Sequence, residues 1–353
     1  MNRQISIGIV GATGAVGIEI LNLLDSRSFP IEEIRLFASP ASLGKTIDFK
    51  GQVLEAQIIN DNSFENLDIV FFCAGNRISK QYAKKASAAG VLVIDNSSAF
   101  RMSEEVPLII PEINPQAIDL HQGIIANPNC STIIMLMVLA PLHKVCPIKR
   151  IVACTYQAAS GAGGKGMEDL IGETGSYFSK EAHERSVIPF PYAFNLFLHN
   201  SPLLESDYCE EEMKMVYETR KILNEPQLKI NATCVRVPVL RAHSEALNVE
   251  FYHPLSATEA YRLLEQAPGL CRLEDREQNR FPMPIDAVGK TDVFYGRIRQ
   301  DISQSNTLDL WVVADQLLKG AALNAVQIAE LAFGIYTKSD RSQTGSMENI
   351  ISS

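Results

Sequence analysis

A cysteine in the middle of the chain lies in a stretch whose residues could support nucleophilic chemistry. The stretch Asn127-Pro-Asn-Cys-Ser-Thr132 follows a short apolar segment and precedes a longer apolar run. This pattern predicts a strand, a tight turn and a helix capped by Asn129 or Ser131, with Cys130 at or beside the first helical residue. The N-terminus of a helix favours a thiolate and can hold an oxyanion through its N–H groups. A buried cysteine with a purely structural role is the alternative.

A glycine-rich turn near the N-terminus could bind a diphosphate. The turn Gly11-Ala-Thr-Gly-Ala-Val-Gly17 follows a predicted strand at residues 5–10 and precedes a predicted helix at residues 18–24. Its three glycines permit a tight turn and the close approach of a diphosphate to a helix N-terminus. Because a strand precedes the turn and a helix follows it, the context is that of a dinucleotide site. A glycine turn with only a packing role is the alternative.

The segment after the second predicted strand bears on the choice of cofactor. An NAD-specific fold places Asp or Glu near the end of that strand, here residues 34–38, to hold the ribose 2′-hydroxyl. The sequence instead reads Ser39-Pro-Ala-Ser-Leu-Gly-Lys45, with no acid, two hydroxyls and a lysine. A 2′-phosphate would not be repelled, so NADP is expected. A surface loop without influence on the cofactor is the alternative.

Strands and helices alternate through the first part of the chain. Strands are predicted at residues 69–74 and 91–95, with a helix at residues 79–89 between them. Such units predict a parallel sheet with functional polar residues at the carboxyl ends of its strands. Arg101 lies just past such an end and is a candidate anion ligand, with a solvated arginine as the alternative.

The second half of the chain is richer in strands and has longer connections, which predicts an α+β domain. Predicted strands are residues 150–157, 231–239, 248–252, 292–299 and 306–313, and predicted helices are 210–223, 257–266 and 314–336. The glycine-rich segment 158–166 fails the phosphate-loop template twice, so a mobile or close-packed loop beside the active site is expected.

Four charged or titratable residues in this half are candidates for a site. Glu211 and Lys214 share one face of a predicted helix, where a solvated charged surface is the favoured interpretation. Arg236 lies in an alternating strand. His243 is the most interesting of the six histidines because it lies between two apolar strands beside polar neighbours.

Composition and charge restrict the class of protein. The 353 residues are enough for two domains, and the net charge of −9 argues against a nucleic-acid surface. No apolar run approaches the roughly 20 residues that cross a bilayer, and the N-terminus runs into a strand rather than a signal peptide. The seven scattered cysteines contain no C-x-x-C, so neither a disulfide framework nor a zinc site is indicated, and a reducing cytoplasm fits best.

Several ordered motifs together resemble those of the aspartate-semialdehyde dehydrogenases, over about residues 5–336. The matching segments are Gly11–Gly17, Asp95–Ser98 with Arg101, Pro128–Thr132, Thr155–Gln157, Ser160–Gly163, Glu211 with Lys214, Arg236, Ala242–Glu245 and Ala314–Ala322. The resemblance implies a Rossmann-type parallel-sheet domain at residues 1–128 and 314–337 for NADP, and an α+β catalytic and dimerisation domain with a mixed sheet at residues 129–313. It also implies a homodimer or a dimer of dimers. The polar residues 338–353 are expected to form a flexible tail.

The resemblance implies a role for each matched residue. The catalytic set is Cys130 as nucleophile, His243 as general acid/base and Gln157 as the group that orients the substrate. The substrate set is Arg236 for the α-carboxylate, Glu211 for the amino group, and Arg101, Asn129 and Lys214 for the phosphate. The cofactor set is Gly11, Thr13, Gly14, Ala15, Val16, Ser39, Ser42, Ser160, Gly161 and Gln316, the last contacting the nicotinamide carboxamide. No metal is expected.

The implied reaction is an NADPH-dependent reductive dephosphorylation of L-aspartyl-4-phosphate to aspartate semialdehyde through a Cys130 thioester. It belongs to the pathway to lysine, threonine, methionine, isoleucine and diaminopimelate. One residue departs from the pattern: many relatives carry an arginine for the 2′-phosphate where Ala41 stands here, although Ser39 and Ser42 remain. NADP is still expected, with NAD used at lower efficiency.

Three other functions are weighed against this one. N-acetyl-γ-glutamyl-phosphate reductase has the same chemistry, but an acetylated amine gives no reason for an acidic partner such as Glu211. Glyceraldehyde-3-phosphate dehydrogenase matches poorly around Cys130. A non-catalytic dinucleotide-binding regulatory protein would be expected to lack the chemical residues that are present here.

Overall fold

The computed structural model describes residues 3–335, which form two compact units. The strands are β1 (Ile5–Val10), β2 (Ile31–Ala38), β3 (Thr46–Phe49), β4 (Gln52–Ile58), β5 (Ile69–Phe72), β6 (Leu92–Asp95), β7 (Ile124–Ala126), β8 (Ile148–Gln157), β9 (Phe197–Leu198), β10 (Lys229–Arg236), β11 (His243–Phe251), β12 (Leu270–Arg272), β13 (Val293–Gln300) and β14 (Thr307–Ala314). The α-helices are α1 (Ala15–Ser26), α2 (Asn76–Ala88), α3 (Cys130–Val145), α4 (Gly163–Ser179), α5 (Glu210–Leu223), α6 (Ala257–Leu264), α7 (Pro284–Ala287) and α8 (Leu323–Phe333). Within residues 3–335, no helix is both long and apolar enough to span a membrane.

Of the described residues, the first unit contains 3–127 and 322–335. Its sheet has the order β3-β4-β2-β1-β5-β6-β7, and all neighbours are parallel except the edge strand β3. Every residue of β1 and β5 is buried, as expected for parallel strands covered on both faces. Helix α2 packs on β5 and β6, while α8 packs on β6 and α1. The predicted Rossmann-type sheet is confirmed.

The edge of this sheet differs from the prediction. Strands β3 and β4 form an antiparallel pair that was not predicted, and β2 begins at Ile31 rather than at residue 34. Both differences have the same cause: β4 and the start of β2 are largely exposed, so their polar residues interrupt the apolar pattern that marks a buried strand.

The second unit contains residues Pro128–Ala321 and a mixed sheet. The strand order is β12-β13-β14-β11-β8-β10-β9, with β8 parallel to β10 and antiparallel to β11. Helix α3 packs on β8, β11, β13 and β14, and α5 packs on β10 and α3. Burial alternates along β8, so helices cover one face of the sheet and the other face is only half-buried. The predicted α+β domain with a mixed sheet is confirmed.

The prediction of a loop at residues 158–166 in this unit is wrong. The segment expected to be a loop at residues 158–166 is a short 3₁₀ turn, Ala159–Ala162, followed by α4 from Gly163. Of the four glycines that indicated a loop, Gly161 lies in the 3₁₀ turn, and Gly163, Gly164 and Gly166 lie in this helix. Close packing of the segment is nevertheless confirmed, because a Cβ added at Gly166 would lie 2.6 Å from the Ala159 carbonyl oxygen.

The helix predicted over residues 314–336 begins later than expected. Strand β14 continues to Ala314, a turn holds Gln316, a π-helical turn spans Leu318–Ala322, and α8 begins only at Leu323. Apolar and small residues continue through all of these elements, so no change of composition marks the boundaries. The predicted end of this helix and the predicted tail at residues 338–353 lie outside the described residues.

Candidate active site

The turn before α3 places Cys130 at the first position of that helix. Asn129 is the N-cap, and its Oδ1 accepts hydrogen bonds from the N–H groups of Ser131 at 3.0 Å and Thr132 at 3.3 Å. The predicted helix start is therefore confirmed. Cys130 is half-buried and lies at the positive end of a 16-residue helix, where a thiolate is favoured.

Two buried carboxylates on α5 hold Asn129 in place. Glu211 Oε1 accepts from Asn129 Nδ2 at 2.7 Å, and Glu218 Oε2 accepts from the Asn129 backbone N–H at 2.6 Å. Sequence analysis missed Glu218, although its spacing of two helical turns from Glu211 could have indicated a shared face. These carboxylates fix the residue that precedes the sulfur.

Glu211 also pairs with Lys214, whose Nζ donates to Glu211 Oε2 at 3.0 Å. The solvated charged face that the sequence favoured is therefore wrong for Glu211, which is buried. Burial alone would raise the pKa of Glu211, but the Lys214 ammonium and the hydrogen bond from Asn129 hold it well below its usual value. Glu211 is a buried negative charge.

Gln157, the last residue of β8, joins three elements next to the cysteine. Its Nε2 lies 3.1 Å from Ser131 Oγ, 3.3 Å from Thr155 Oγ1 and 3.5 Å from Glu211 Oε1. The amide thus connects the first turn of α3 to β8 and α5, which places Gln157 beside the turn that carries the sulfur.

His243 is fully buried and is the first residue of β11, rather than part of the connection between strands as predicted. Its Nδ1 accepts a hydrogen bond from the Ala158 N–H at 3.0 Å, so the proton of the neutral ring lies on Nε2. Burial, followed by the charge of Arg236, lowers the pKa of His243 to about 3. The imidazole is therefore neutral near pH 7, with its Nε2–H available as a donor.

Arg236, at the carboxyl end of β10, is oriented by two acceptors. Its Nη1 donates to the Ala158 carbonyl oxygen at 3.2 Å, and its Nη2 lies 2.9 Å from His199 Nε2. Burial is the main cause that lowers the pKa of His199 to about 4, so this ring is neutral. Its Nε2 accepts from Arg236 in the tautomer whose proton lies on Nδ1, 3.1 Å from Ser201 Oγ. Sequence analysis missed His199, because nothing in the irregular segment around it indicates a pairing with a strand about 37 residues later.

The turn after β14 brings Gln316 to the same place. Gln316 Oε1 accepts from the Ala242 N–H at 3.0 Å, and its Nε2 donates to Ser160 Oγ. Gly320, in the π-helical turn that follows, packs closely against the cysteine, because a Cβ added there would lie 3.0 Å from Cys130 Cβ. The second unit thus brings together the predicted residues Cys130, Asn129, Gln157, Ser160, Gly161, Glu211, Lys214, Arg236, His243 and Gln316.

Gly161 shows how tightly this site is packed. A Cβ added there would lie 2.7 Å from Arg236 Nη1 and 3.1 Å from His243 Cε1. Glycine therefore lets the backbone pass beside both side chains without displacing the Arg236 guanidinium.

The other predicted residues lie in the first unit. Gly11 has a φ of +91°, and a Cβ there would lie 2.9 Å from the Cys73 backbone, so the turn requires glycine. Gly14 is the N-cap of α1 and has no side chain that could cap the helix. The first N–H groups of the helix, at Ala15 and Val16, therefore remain for an anion. Thr13 lies within the glycine turn. After β2, Ser39 precedes the 3₁₀ turn Pro40–Ser42, and Ser42 is its last residue.

Arg101 is buried rather than solvated. Its Nε donates to the Asn127 carbonyl oxygen and its Nη2 to the Asn96 carbonyl oxygen, each at 2.9 Å. The guanidinium is therefore anchored just past the carboxyl ends of β6 and β7. No cluster of three or more His, Cys, Asp or Glu side chains suited to a metal ion occurs in residues 3–335.

A parallel sheet with a glycine turn and a mixed-sheet unit bearing a helix-start cysteine define a dinucleotide-binding dehydrogenase. Residues 6–121 match the family model of the semialdehyde dehydrogenase NAD binding domain, and residues 139–319 match that of the semialdehyde dehydrogenase dimerisation domain. The chain belongs to the aspartate-semialdehyde dehydrogenase family. The family resemblance read from the sequence is confirmed.

Similar proteins cover nearly the whole chain. The aspartate-semialdehyde dehydrogenase of Synechocystis sp. is 54% identical, over 94% of this chain and 98% of its own length. That of Bacillus subtilis is 44% identical over 94% of this chain and 98% of its own length. A crystal structure of aspartate semialdehyde dehydrogenase II from Vibrio cholerae, complexed with ASA, has a TM-score of 0.91 at 43% identity and covers 95% of this chain and 100% of its own.

Proposed function

We propose that this enzyme catalyses the phosphorylating oxidation of L-aspartate 4-semialdehyde and, in reverse, the reductive dephosphorylation of L-aspartyl-4-phosphate. The single observation that supports this most strongly is the placement of Cys130 at the start of α3, in the same compact unit as Gln157, Glu211, Arg236 and His243. The names of the relatives support the same reaction. It supplies the pathway to lysine, threonine, methionine, isoleucine and diaminopimelate.

The cofactor that this reaction needs is a nicotinamide dinucleotide, and NADP is the form we propose. The glycine turn fits its diphosphate, because Gly11 adopts the positive φ that the tight turn requires and Gly14 leaves the start of α1 without a side-chain cap. Ser39 and Ser42 would hold the 2′-phosphate, which favours NADP. Because Ala41 supplies no positive charge there, NAD is also accepted, at lower efficiency. When bound, the cofactor supplies the acceptor for the hydride that leaves the substrate.

The first covalent step uses Cys130. Its thiolate attacks the aldehyde carbon, a carbon–sulfur bond forms, and the carbonyl electron pair moves to oxygen. His243 donates its Nε2–H to that oxyanion, because its Nδ1 is already bonded to the Ala158 N–H. The N–H groups at the start of α3 add a second source of positive potential.

The second step releases the product from the sulfur. Loss of hydride restores the carbon–oxygen double bond and leaves a thioester on Cys130. An oxygen of phosphate then attacks the same carbon, the carbon–sulfur bond breaks, and the thiolate leaves with its electron pair. The sulfur begins and ends as a thiolate, so a neutral His243 that donates hydrogen bonds meets the needs of both steps.

Substrate recognition depends on charges of both signs. The fork of Arg236 suits the two oxygens of the α-carboxylate, and the ionised Glu211 suits the charged amino group. Arg101, Asn129 and Lys214 are the proposed phosphate ligands. A buried ionised Glu211 argues for a free amine, and therefore against an N-acetylated substrate.

We assign cofactor binding to residues 1–128 and 314–337, and catalysis with dimerisation to residues 129–313. The two compact units support this division except at Pro128 and residues 314–321, which lie in the second unit. The half-buried face of the mixed sheet, with Tyr156 and Trp311 in ring contact at 5.7 Å, supports an interface between two copies. A homodimer, or a dimer of dimers, in a reducing cytoplasm fits this assignment.

The test is a single assay with three arms. Protein is mixed with L-aspartate 4-semialdehyde, phosphate and NADP, and absorbance is read at the reduced-nicotinamide band. The second arm replaces NADP by NAD, and the third replaces the aldehyde by N-acetyl-L-glutamate 5-semialdehyde. We expect phosphate-dependent reduction, faster with NADP and absent with the acetylated aldehyde. No phosphate-dependent reduction in the first arm would refute the proposed function.

A further inference from the structure

Among the buried polar side-chain atoms of the second unit that have no hydrogen-bond partner within residues 3–335, three lie at or close to Arg236. They are Arg236 Nε, His243 Nε2 and Tyr192 Oη. Native proteins leave few buried polar groups unsatisfied, so each one calls for an explanation. Arg236 and His243 belong to the site already described, whereas Tyr192 has no part in it.

Tyr192 lies against the immediate neighbours of Arg236. Its ring contacts Phe197 with centroids 5.3 Å apart. Phe197 in β9 is the antiparallel cross-strand partner of Arg236 in β10, so both side chains are on one face of the sheet. Tyr192 also packs in an apolar cluster with Ala159, which follows the residue whose carbonyl accepts from Arg236.

The backbone that carries Tyr192 is fixed from α4. Glu173 Oε2 accepts hydrogen bonds from the N–H groups of Tyr192 and Ala193, at 2.5 and 3.1 Å. One turn earlier, Asp169 accepts from the N–H groups of Val187 and Ile188, at 2.9 and 3.0 Å. The phenol is therefore held in a defined place although it lies in a segment with little regular structure.

Each of these three atoms carries a hydrogen that it can donate. Arg236 Nε carries a hydrogen and cannot accept, and His243 Nε2 carries the ring proton because Nδ1 accepts. Burial raises the pKa of Tyr192 to about 12, with the nearby Arg236 charge opposing, so its hydroxyl is protonated at neutral pH. Three donors without an acceptor indicate a ligand rich in acceptor oxygens.

We propose that the Tyr192 hydroxyl is a second hydrogen-bond donor to the substrate carboxylate that Arg236 binds. This proposal rests on the proposed function, in which Arg236 takes the α-carboxylate. The guanidinium supplies charge and a planar fork, and the phenol supplies one neutral donor at a fixed point. Together they select a carboxylate by geometry, since a single-point anion would leave one of the donors unsatisfied.

The test compares two Tyr→Phe variants in the full-length enzyme. Tyr192→Phe removes one oxygen atom and keeps the ring contacts. Tyr295→Phe is the matched control, because Tyr295 is also fully buried, also has a hydroxyl without a partner in the described residues, and lies on β13 beside Tyr261. Kinetics are measured for L-aspartate 4-semialdehyde and for phosphate, and melting temperature is measured for each protein.

We expect Tyr192→Phe to lower kcat/KM for the aldehyde by roughly ten- to a hundredfold, the loss typical of a hydrogen bond to a charged group. KM for phosphate should stay within about twofold of wild type, and Tyr295→Phe should match wild type for both substrates. Both variants should melt at or above the wild-type temperature, because each loses a partnerless buried hydroxyl.

Several results would overturn the proposal. One is a Tyr192→Phe variant with wild-type kcat/KM for the aldehyde, and another is an equal rise in both KM values. A Tyr192→Phe variant that melts well below wild type would show that the hydroxyl has a structural role instead. A wild-type protein without activity refutes the proposed function together with this proposal, whereas an active wild type beside an unaltered variant refutes this proposal alone.

Discussion

Glu245 is a buried carboxyl close in sequence to His243, and its charge in the folded protein can be tested directly. It lies on β11 two residues after His243, is fully buried, and pairs across the sheet with Thr155. Neither carboxyl oxygen has a hydrogen-bond partner within residues 3–335. Burial raises the pKa of Glu245 well above its usual value, so the folded protein holds this side chain as a neutral acid.

The sign of the pH dependence follows from this shift. Above about pH 4.3 the unfolded chain ionises Glu245 while the folded chain keeps the proton, so unfolding releases a proton. The stability contributed by the neutral acid is complete below the unfolded pKa and is lost as pH rises towards the folded pKa. The slope is about 1.4 kcal/mol for each pH unit in that window.

Glu245→Gln keeps the shape and the neutral state but removes the proton. The free energy of unfolding of the variant, minus that of wild type, should therefore be nearly independent of pH below about pH 4. From there it should rise in favour of the variant by about 1.4 kcal/mol per pH unit, up to the folded pKa.

The measurement is urea unfolding of both proteins at pH 4, 5, 6, 7 and 8, followed by the fluorescence of Trp311, which lies on the adjacent strand β14. Glu250→Gln is the matched control, because Glu250 is on the same strand but bonds Lys149 at 2.7 Å. The pKa of Glu250 is lowered by that bond, so its variant should give no such rise. Parallel curves for wild type and Glu245→Gln between pH 5 and pH 8 would refute a neutral buried acid.

Three further substitutions test the site itself. Cys130→Ser should abolish turnover while leaving the melting temperature and NADP binding unchanged, and full activity in this variant would end the covalent mechanism. Arg236→Lys should mainly raise KM for the aldehyde, by about tenfold or more, since a point charge replaces a fork; unchanged kinetics would remove Arg236 from the carboxylate role. Gly161→Ala should lower kcat/KM by about a hundredfold, because its Cβ at 2.7 Å from the Arg236 guanidinium displaces a side chain bonded on both sides. Gly164→Ala is its control, because an added Cβ there meets nothing within 4 Å, and it should keep wild-type activity. Circular dichroism compares the folding of the two variants, and initial rates compare their activity.

Elements with a strong local signal could be predicted from the sequence. Strand β1 and helix α5 have the predicted bounds, because one is a continuous apolar run after the N-terminus and the other is a charged amphipathic helix. The start of α3 was also predictable, since Asn129 is a good cap and an apolar run follows it.

Features that depend on distant contacts could not be predicted in the same way. The spacing of Glu211 and Lys214 shows that they share a face, but only the packing of α5 on β10 and α3 shows that this face is partly buried. His199 reaches Arg236 because the two-residue strand β9 pairs with the end of β10. So short a strand leaves no pattern in the sequence, and the pairing is decided by tertiary packing.

Ala158 has a larger effect on the chemistry than its small side chain suggests. The Ala158 N–H donates to His243 Nδ1, and the Ala158 carbonyl oxygen accepts from Arg236 Nη1. The two peptide groups that flank the Ala158 Cα thereby set the tautomer of the histidine and help to orient the guanidinium. With Nδ1 occupied and a pKa of about 3, His243 offers a hydrogen rather than a lone pair at Nε2. The family resemblance implies a general acid/base at this position, whereas the hydrogen bonding favours a donor to the substrate oxyanion. A neutral His243 with Nδ1 occupied leaves the start of α3 as the source of positive potential that favours a thiolate at Cys130.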